Sequence, residues 1–310
     1  MTAALFLEQL LNGLQLGMTL FLMSAGLTLV FGVMGLINLA HGSLYMIGAF
    51  CCATITNMTG SFLLGLLAGF VGAAIAGLII EVVVIRKLYD RDHLDQVLAT
   101  FALILIISEG TSWIFGSSPL YLSIPSWLSG SIPLSFEEDS NSSYPIYRLV
   151  IIAIGLIIAY SLYLLITKTR LGMRIRAGES DREMIAALGV NIRVIYSLIF
   201  ALGAALAGLA GSLVSTLYSV EVGMGEPVLI LALVVIVIGG IGSVKGALVA
   251  SILVGLVDTL GRVFLPNILA LFIDNSQVAT LSASLASVLV YILMAVILAI
   301  RPQGLFPANA

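Results

Sequence analysis

Residues 32–50, GVMGLINLAHGSLYMIGAF, restrict what this chain can become more than any other stretch. The region is apolar and of membrane length, yet Gly32, Gly35, Asn38, His41, Gly42 and Ser43 interrupt it. In hydrocarbon each polar group costs free energy unless another helix, a water or a ligand satisfies it. Backbone that bends at membrane depth survives only when buried in protein or lining a cavity. The stretch therefore reads as part of a route through a membrane.

Composition leaves no soluble reading. The chain is 60% hydrophobic and 9% charged, with a mean hydropathy of +1.17, where a soluble domain carries about 25% charged residues. The apolar runs are long enough for helices rather than barrel strands. This predicts an all-α, polytopic helical membrane protein forming a single transmembrane domain over residues 1–310. Spans are expected at 9–31, 36–57, 62–85, 95–115, 147–167, 193–217, 246–262 and 279–300, with a short or re-entrant segment at 228–241. No basic leader is visible, since Arg86 is the first Lys or Arg, so the first apolar segment is expected to stay in the mature protein. Cys51 and Cys52 are adjacent and are expected to be free, buried and inert.

Lys and Arg favour cytoplasmic loops. Arg86, Lys87 and Arg91 mark one inner loop, and Lys168 to Arg193 a larger one. Arg301 marks an inner C-terminus. Residues 116–146 carry Glu137, Glu138 and Asp139 but no Lys or Arg, and form the expected external loop. The N-terminus then lies outside, provided that 228–241 counts as a membrane segment. A loose echo links residues 32–49 with 239–255, GGIGSVKGALVASILVG. Paired glycine-broken segments point to a transport site. The candidate path residues are therefore Asn38, His41, Gly42 and Tyr45, sharing one helical face, together with Gly240, Gly242 and Ser243. Their duller reading is that Asn38 and His41 bond between helices and hold the bend.

Small residues at four-residue spacing, Gly65, Gly69 and Ala73 and again Gly203, Ala207 and Gly211, predict close helix packing. Within the inner loop at 168–192, Ser180 and Glu183 have capping-box spacing, Met184, Ile185 and Leu188 fall on one face, and Gly189 is a natural stop. Two turns are not stable alone. That helix is expected to dock on this chain's own helix ends or on another subunit.

Several stretches resemble a known family. FGVMGLINLAHGSLYMIGA, RKLYDRDHLDQVLATFALIL, RAGESDREMIAALGVNIRVIYSLIFALGAALAGLAG, GGIGSVKGALVASILVG and RPQGLFP are similar, in order, to signatures of the branched-chain amino acid permeases (LivH-type) of bacterial ABC importers. Lys87 departs from the family's usual Pro, and Ala102 from its common Gly. The resemblance implies a multi-pass protein of the bacterial inner membrane and a partnership with a second permease subunit, alike or different. It also implies two cytoplasmic ATPases and an extracytoplasmic binding protein. The 168–192 loop would then be the coupling loop. No G-x-x-x-x-G-K-[ST] phosphate loop occurs, so ATP is expected to be used by the partner subunits, with no cofactor in this chain.

The opposing reading is an ion-coupled carrier, or a channel for a small amide or urea. A carrier wants a mid-membrane ionisable group. Glu81 and Glu109 lie near span edges, and Asp258 is four residues from Arg262, so each is expected to be solvated or paired. The two histidines, His41 and His93, have no ligand cluster, which disfavours a metal site. No nucleophile–base set points to an enzyme, and nothing points to nucleic acid. The neutral path residues suit a small neutral or zwitterionic solute, most simply a branched-chain amino acid if the resemblance holds.

Overall fold

Helix α1 (Ala3–Met34) is the inner post of the molecule: 83% of its apolar window is buried, against 28% or less for α3, α4, α5, α9 and α10 defined below. The computed structural model describes residues 3–89, 91–134, 143–180, 184, 189–272 and 275–306. Around α1 stand α2 (His41–Thr59), α3 (Phe62–Val83), α4 (His93–Phe115), α5 (Ile146–Lys168), α6 (Arg170–Ser180), α7 (Ile192–Val214), α8 (Gly225–Gly239), α9 (Val244–Leu269) and α10 (Asn275–Ile300). The inner layer is α1, α2 and α7; the others turn Leu, Ile, Val and Phe outward, as Leu67, Ile75, Ile106 and Ile157 do. In lipid that exposure is the favourable state rather than a defect.

Among the described residues seven helices are long and apolar enough to cross a membrane: α1, α3 (with its extension to Lys87), α4, α5, α7, α9 and α10. This makes the chain an all-α polytopic membrane protein. The expected span at 36–57 is not among the seven. Its helix, α2, is 19 residues long but is less apolar, opening on His41, Gly42 and Ser43. It begins there because Gly35 takes a φ of +66° that ends α1 and residues 35–40 are not helical. The short segment expected at 228–241 is α8, 15 residues long. Outside the helices, Ser131–Pro133 (β1) pairs antiparallel with Ser143–Pro145 (β2), Ser131 opposite Pro145, a small hairpin the apolar pattern could not announce.

Small residues let the inner helices touch backbone to backbone. A Cβ added to Gly26 on α1 would lie 2.6 Å from the carbonyl oxygen of Gly203 on α7. Gly48 on α2 faces Gly208 on α7, and Gly69 on α3 abuts both Gly48 and Ser212. The expected stripes Gly65–Gly69–Ala73 and Gly203–Ala207–Gly211 are buried. Capping is conventional at three starts. Ser61 accepts from Leu64 N–H, Asn191 from Arg193 and Val194 N–H, and Ser243 from Gly246 N–H.

Candidate functional site

The interrupted stretch folds as a broken helix. Gly35 N–H closes α1 on the Phe31 carbonyl at 2.8 Å, and the chain then runs through Leu36 and Asn38, both fully buried. Asn38 folds back on itself, its carbonyl accepting from His41 N–H at 3.3 Å and its Oδ1 from Ala40 N–H at 3.1 Å. Asn38 is thus not on the helical face of His41, Gly42 and Tyr45, as its spacing predicts; it belongs to the segment that precedes the helix. Helix α2 begins at His41 without a side-chain cap. The Asn38 Nδ2 and both ring nitrogens of His41 are buried and make no hydrogen bond of normal geometry, although the Met23 carbonyl is close enough to act on the ring. A buried polar atom left in this state costs about 1–3 kcal/mol, and such sites are where function is to be sought.

Opposite this break lies a second one. Helix α8 begins at Gly225, again with no side-chain cap and with Pro227 in its first turn. Gly223 has a φ of +87°, and its N–H meets Met46 Sδ of α2 at 3.3 Å. The two helix starts are in contact: a Cβ on Gly42 would lie 2.7 Å from the Gly225 carbonyl oxygen and 3.2 Å from Leu229 Cβ. Two helix N-termini without side-chain caps meeting inside protein bring their partial positive ends together. His41, Ser43 and Glu226 N–H are nevertheless bonded to the Asn38, Ala40 and Gly223 carbonyls, and Glu226 places a carboxylate in the first turn of α8. Discontinuous helices of transporters use such ends to meet an anionic substrate group.

The second segment of the sequence echo lies elsewhere in the fold. Gly240, Gly242 and Ser243 are not at the α2–α8 junction but in the turn between α8 and α9. Gly240 (φ +99°) and Gly242 (φ +82°) make that turn, and Ser243 caps α9. The C-terminal tail seals it, Leu305 N–H donating to Ile238 at 2.9 Å and Phe306 N–H to Gly239 at 3.0 Å. Gly242 and Ser243 do line a cavity of about 1100 Å³, shared with Thr28, Leu29 and Val33 of α1 and Leu156 and Tyr163 of α5. The residues that reasoning missed are Gly223, Gly225 and Met46; the Gly-x-Gly followed by Pro227 was their signal.

The acidic groups are engaged. Glu81, fully buried, accepts from Arg86 Nη2 at 3.0 Å and Nε at 3.2 Å, from Ser197 Oγ at 2.7 Å and from the Tyr89 hydroxyl. Asp258 pairs with Arg262 at 2.8 Å one turn on, and Glu109 is exposed. Cys51 and Cys52 are free, the first only half-buried. Among the described residues no cluster of His, Cys, Asp and Glu could hold a metal ion.

In the 168–192 loop the structure has a helix the sequence did not announce, α6. Its apolar face turns inward through Ile175, while Met173 and Arg174 are exposed. Ser180 is helical backbone at the end of α6, so a helix does not begin there from a non-helical cap. Met184 is helical and exposed, and Gly189 has the φ of +81° expected of a helix stop. Glu183, Ile185 and Leu188 lie outside the described residues.

Comparison with known proteins decides the family. Residues 9–298 match the model of the branched-chain amino acid transport system permease component. The chain belongs to this permease family. The high-affinity branched-chain amino acid transport permease LivH of Escherichia coli K12 is 32% identical over 272 residues, 84% of this chain and 87% of its own length. BraD of Pseudomonas aeruginosa, named for the same transport, is 32% identical over 266 residues, 83% and 86% of the two chains. The autoinducer 2 import permease LsrD of Salmonella paratyphi B is 28% identical over 254 residues, covering 77% of this permease and 69% of LsrD. No solved structure matches it. The family and the seven apolar helices make this permease a multi-pass inner-membrane protein, the transport component of an ABC importer.

Proposed function

We propose that this chain is the membrane subunit through which an ATP-driven importer passes branched-chain amino acids, and that the α2–α8 junction controls passage. The observation that carries the reading is the contact of two uncapped helix starts, Gly42 against Gly225, beside the unpaired polar atoms of Asn38 and His41. An opening there would present N–H donors to a carboxylate and apolar walls such as Leu229 to an aliphatic side chain. Partners follow from the family: a second permease subunit, two cytoplasmic ATPases and an extracytoplasmic binding protein. The N-terminus would lie outside and the C-terminus inside, with 116–146 external and 168–192 facing the ATPases. Ser180, Glu183, Met184, Ile185, Leu188 and Gly189 would form the coupling element.

The ion-coupled alternative is the weaker one, because Glu81 and Asp258 are ion-paired and Glu109 is exposed. The experiment is uptake of labelled leucine, isoleucine and valine by cells carrying the full importer, with urea, a short amide and autoinducer 2 as competing solutes. The reading expects the three amino acids to accumulate under ATP and to survive collapse of the proton gradient. It also expects Ile185→Asp with Leu188→Asp to stay membrane-inserted while losing the ATPase on copurification, and all uptake with it. Accumulation that follows the proton gradient, or full transport by the doubly substituted protein, overturns it.

A further inference from the structure

The cavity between α1, α5 and the start of α9 carries a charge pattern that the transport reading does not use. Its wall is mostly aliphatic, with Leu29, Val33, Leu156 and Leu248 among the lining groups. Along α1 it runs from Phe21 to Val33, about 18 Å at helical rise and so more than half the thickness of a bilayer's hydrocarbon. At one end stand three cations from three elements: Arg176 of α6, Lys245 of α9 and Arg301 after α10. The lining contains no Asp or Glu among the described residues. Among the described residues the only ion pairs are Glu81–Arg86 and Asp258–Arg262, so none of the three cations is paired with a described carboxylate. Their contacts are neutral: Arg176 donates to the Ile166 carbonyl, Arg301 to Leu305 at 3.4 Å, and Lys245 Nζ lies 5.7 Å from the Tyr163 ring centroid.

A long apolar slot with three cations at its mouth is complementary to one class of molecule, an anion carrying a hydrocarbon tail. We propose that this cavity is a binding site for an anionic phospholipid of the inner leaflet, its phosphate among Arg176, Lys245 and Arg301 and one acyl chain along α1 beside Leu29 and Val33. The positive-inside rule accounts for cations on this side, but not for the convergence of three of them, from three elements, on one apolar slot. Basic pockets between membrane helices at the cytoplasmic face recognise anionic headgroups. A free amino acid would leave most of 1100 Å³ empty. The site does not depend on the α2–α8 junction or on the transported solute.

The test uses the full chain purified with its accompanying subunits and placed in nanodiscs with a phosphatidylglycerol that bears a photoreactive group on its acyl chain. The expected result is labelling of peptides within 21–33 and 244–248. The matching phosphatidylcholine probe should label them far less. Loss of each cation should weaken labelling about five-fold, so Arg176→Gln with Lys245→Gln and Arg301→Gln should nearly abolish it. The control Lys87→Gln with Arg91→Gln and Arg193→Gln should not. Should the cavity triple variant fail to fold, Lys245→Gln alone supplies the same comparison. Equal labelling by phosphatidylcholine, or equal loss in the control, overturns the proposal. Displacement by excess glycerol phosphate overturns it too, because the ligand would then be a soluble phosphate. Absence of labelling in the assembled complex overturns it in favour of a protein covering the groove.

Discussion

Ser197 on α7 donates its hydroxyl to the Glu81 carboxylate of α3 at 2.7 Å, across 116 residues of chain, and Arg86 Nη2 reaches both side chains. This clasp fixes the ends of α3 and α7 beside the 168–192 loop. Glu81 is fully buried whereas about a third of the Arg86 side chain (34%) is exposed, so Arg86 can turn to water when its partner is lost.

Glu81→Ala is therefore expected to cost about 2–3 kcal/mol, less than breaking a fully buried pair. Ser197→Ala should cost about 1 kcal/mol. Thermal unfolding of the purified permease in one detergent checks both; two unchanged midpoints would mean the clasp contributes nothing.

The same cluster carries a pH signature. Burial, and then the Glu81 carboxylate it bonds, hold the Tyr89 hydroxyl above the ordinary tyrosine value of 10.0. A group raised on folding stabilises fully below its unfolded value and loses that contribution as pH climbs past it. The stability difference between the natural protein and Tyr89→Phe should stay flat from about pH 7 to 9 and change only above about pH 10. A difference that titrates below pH 9 would contradict the arrangement.

Two glycine substitutions should act with opposite signs. A Cβ on Gly208 would collide with Ala73 and with the Gly69 carbonyl, whereas one on Gly110 would meet nothing within 4 Å. Gly208→Val should prevent α7 from seating on α2 and α3, leaving little monodisperse protein. Gly110→Ala, inside α4, should gain about 0.5–1 kcal/mol from helix propensity alone. Size-exclusion profiles and unfolding midpoints read the pair.

Orientation is open to labelling. Ser129 and Met173 are both exposed, one in the 116–146 loop and one on α6. With Cys51 and Cys52 replaced by Ser, an impermeant maleimide applied to intact cells should modify Ser129→Cys and spare Met173→Cys until the membrane is opened. The reverse pattern would invert the topology.

How much of this the sequence disclosed depended on what each residue betrays. Asn38 and His41 stand out in an apolar run, so the first break was legible. The start of the second span was less legible, since a window of hydrophobicity does not register the φ of +66° at Gly35 that ends α1 and puts the start of α2 at His41. Gly240 and Gly242 looked like the second break because turn glycines and path glycines are the same residue type. The segment that does touch the first break, at Gly225, is set by tertiary contact with Gly42, which no local pattern contains. Pairing of Asp258 with Arg262 was readable from four-residue spacing. The reach of Ser197 to Glu81 was not.

The most direct measurement is ATP-driven accumulation of labelled leucine in proteoliposomes holding the permease pair, its ATPases and the binding protein. Gly42→Val puts bulk where a single Cβ already stands 2.7 Å from the Gly225 oxygen. In a complex that still assembles and still hydrolyses ATP, this variant is predicted to accumulate no leucine, while the natural protein accumulates it only with ATP on the ATPase side. Leucine uptake by assembled Gly42→Val at the natural rate would contradict a passage controlled where α2 meets α8.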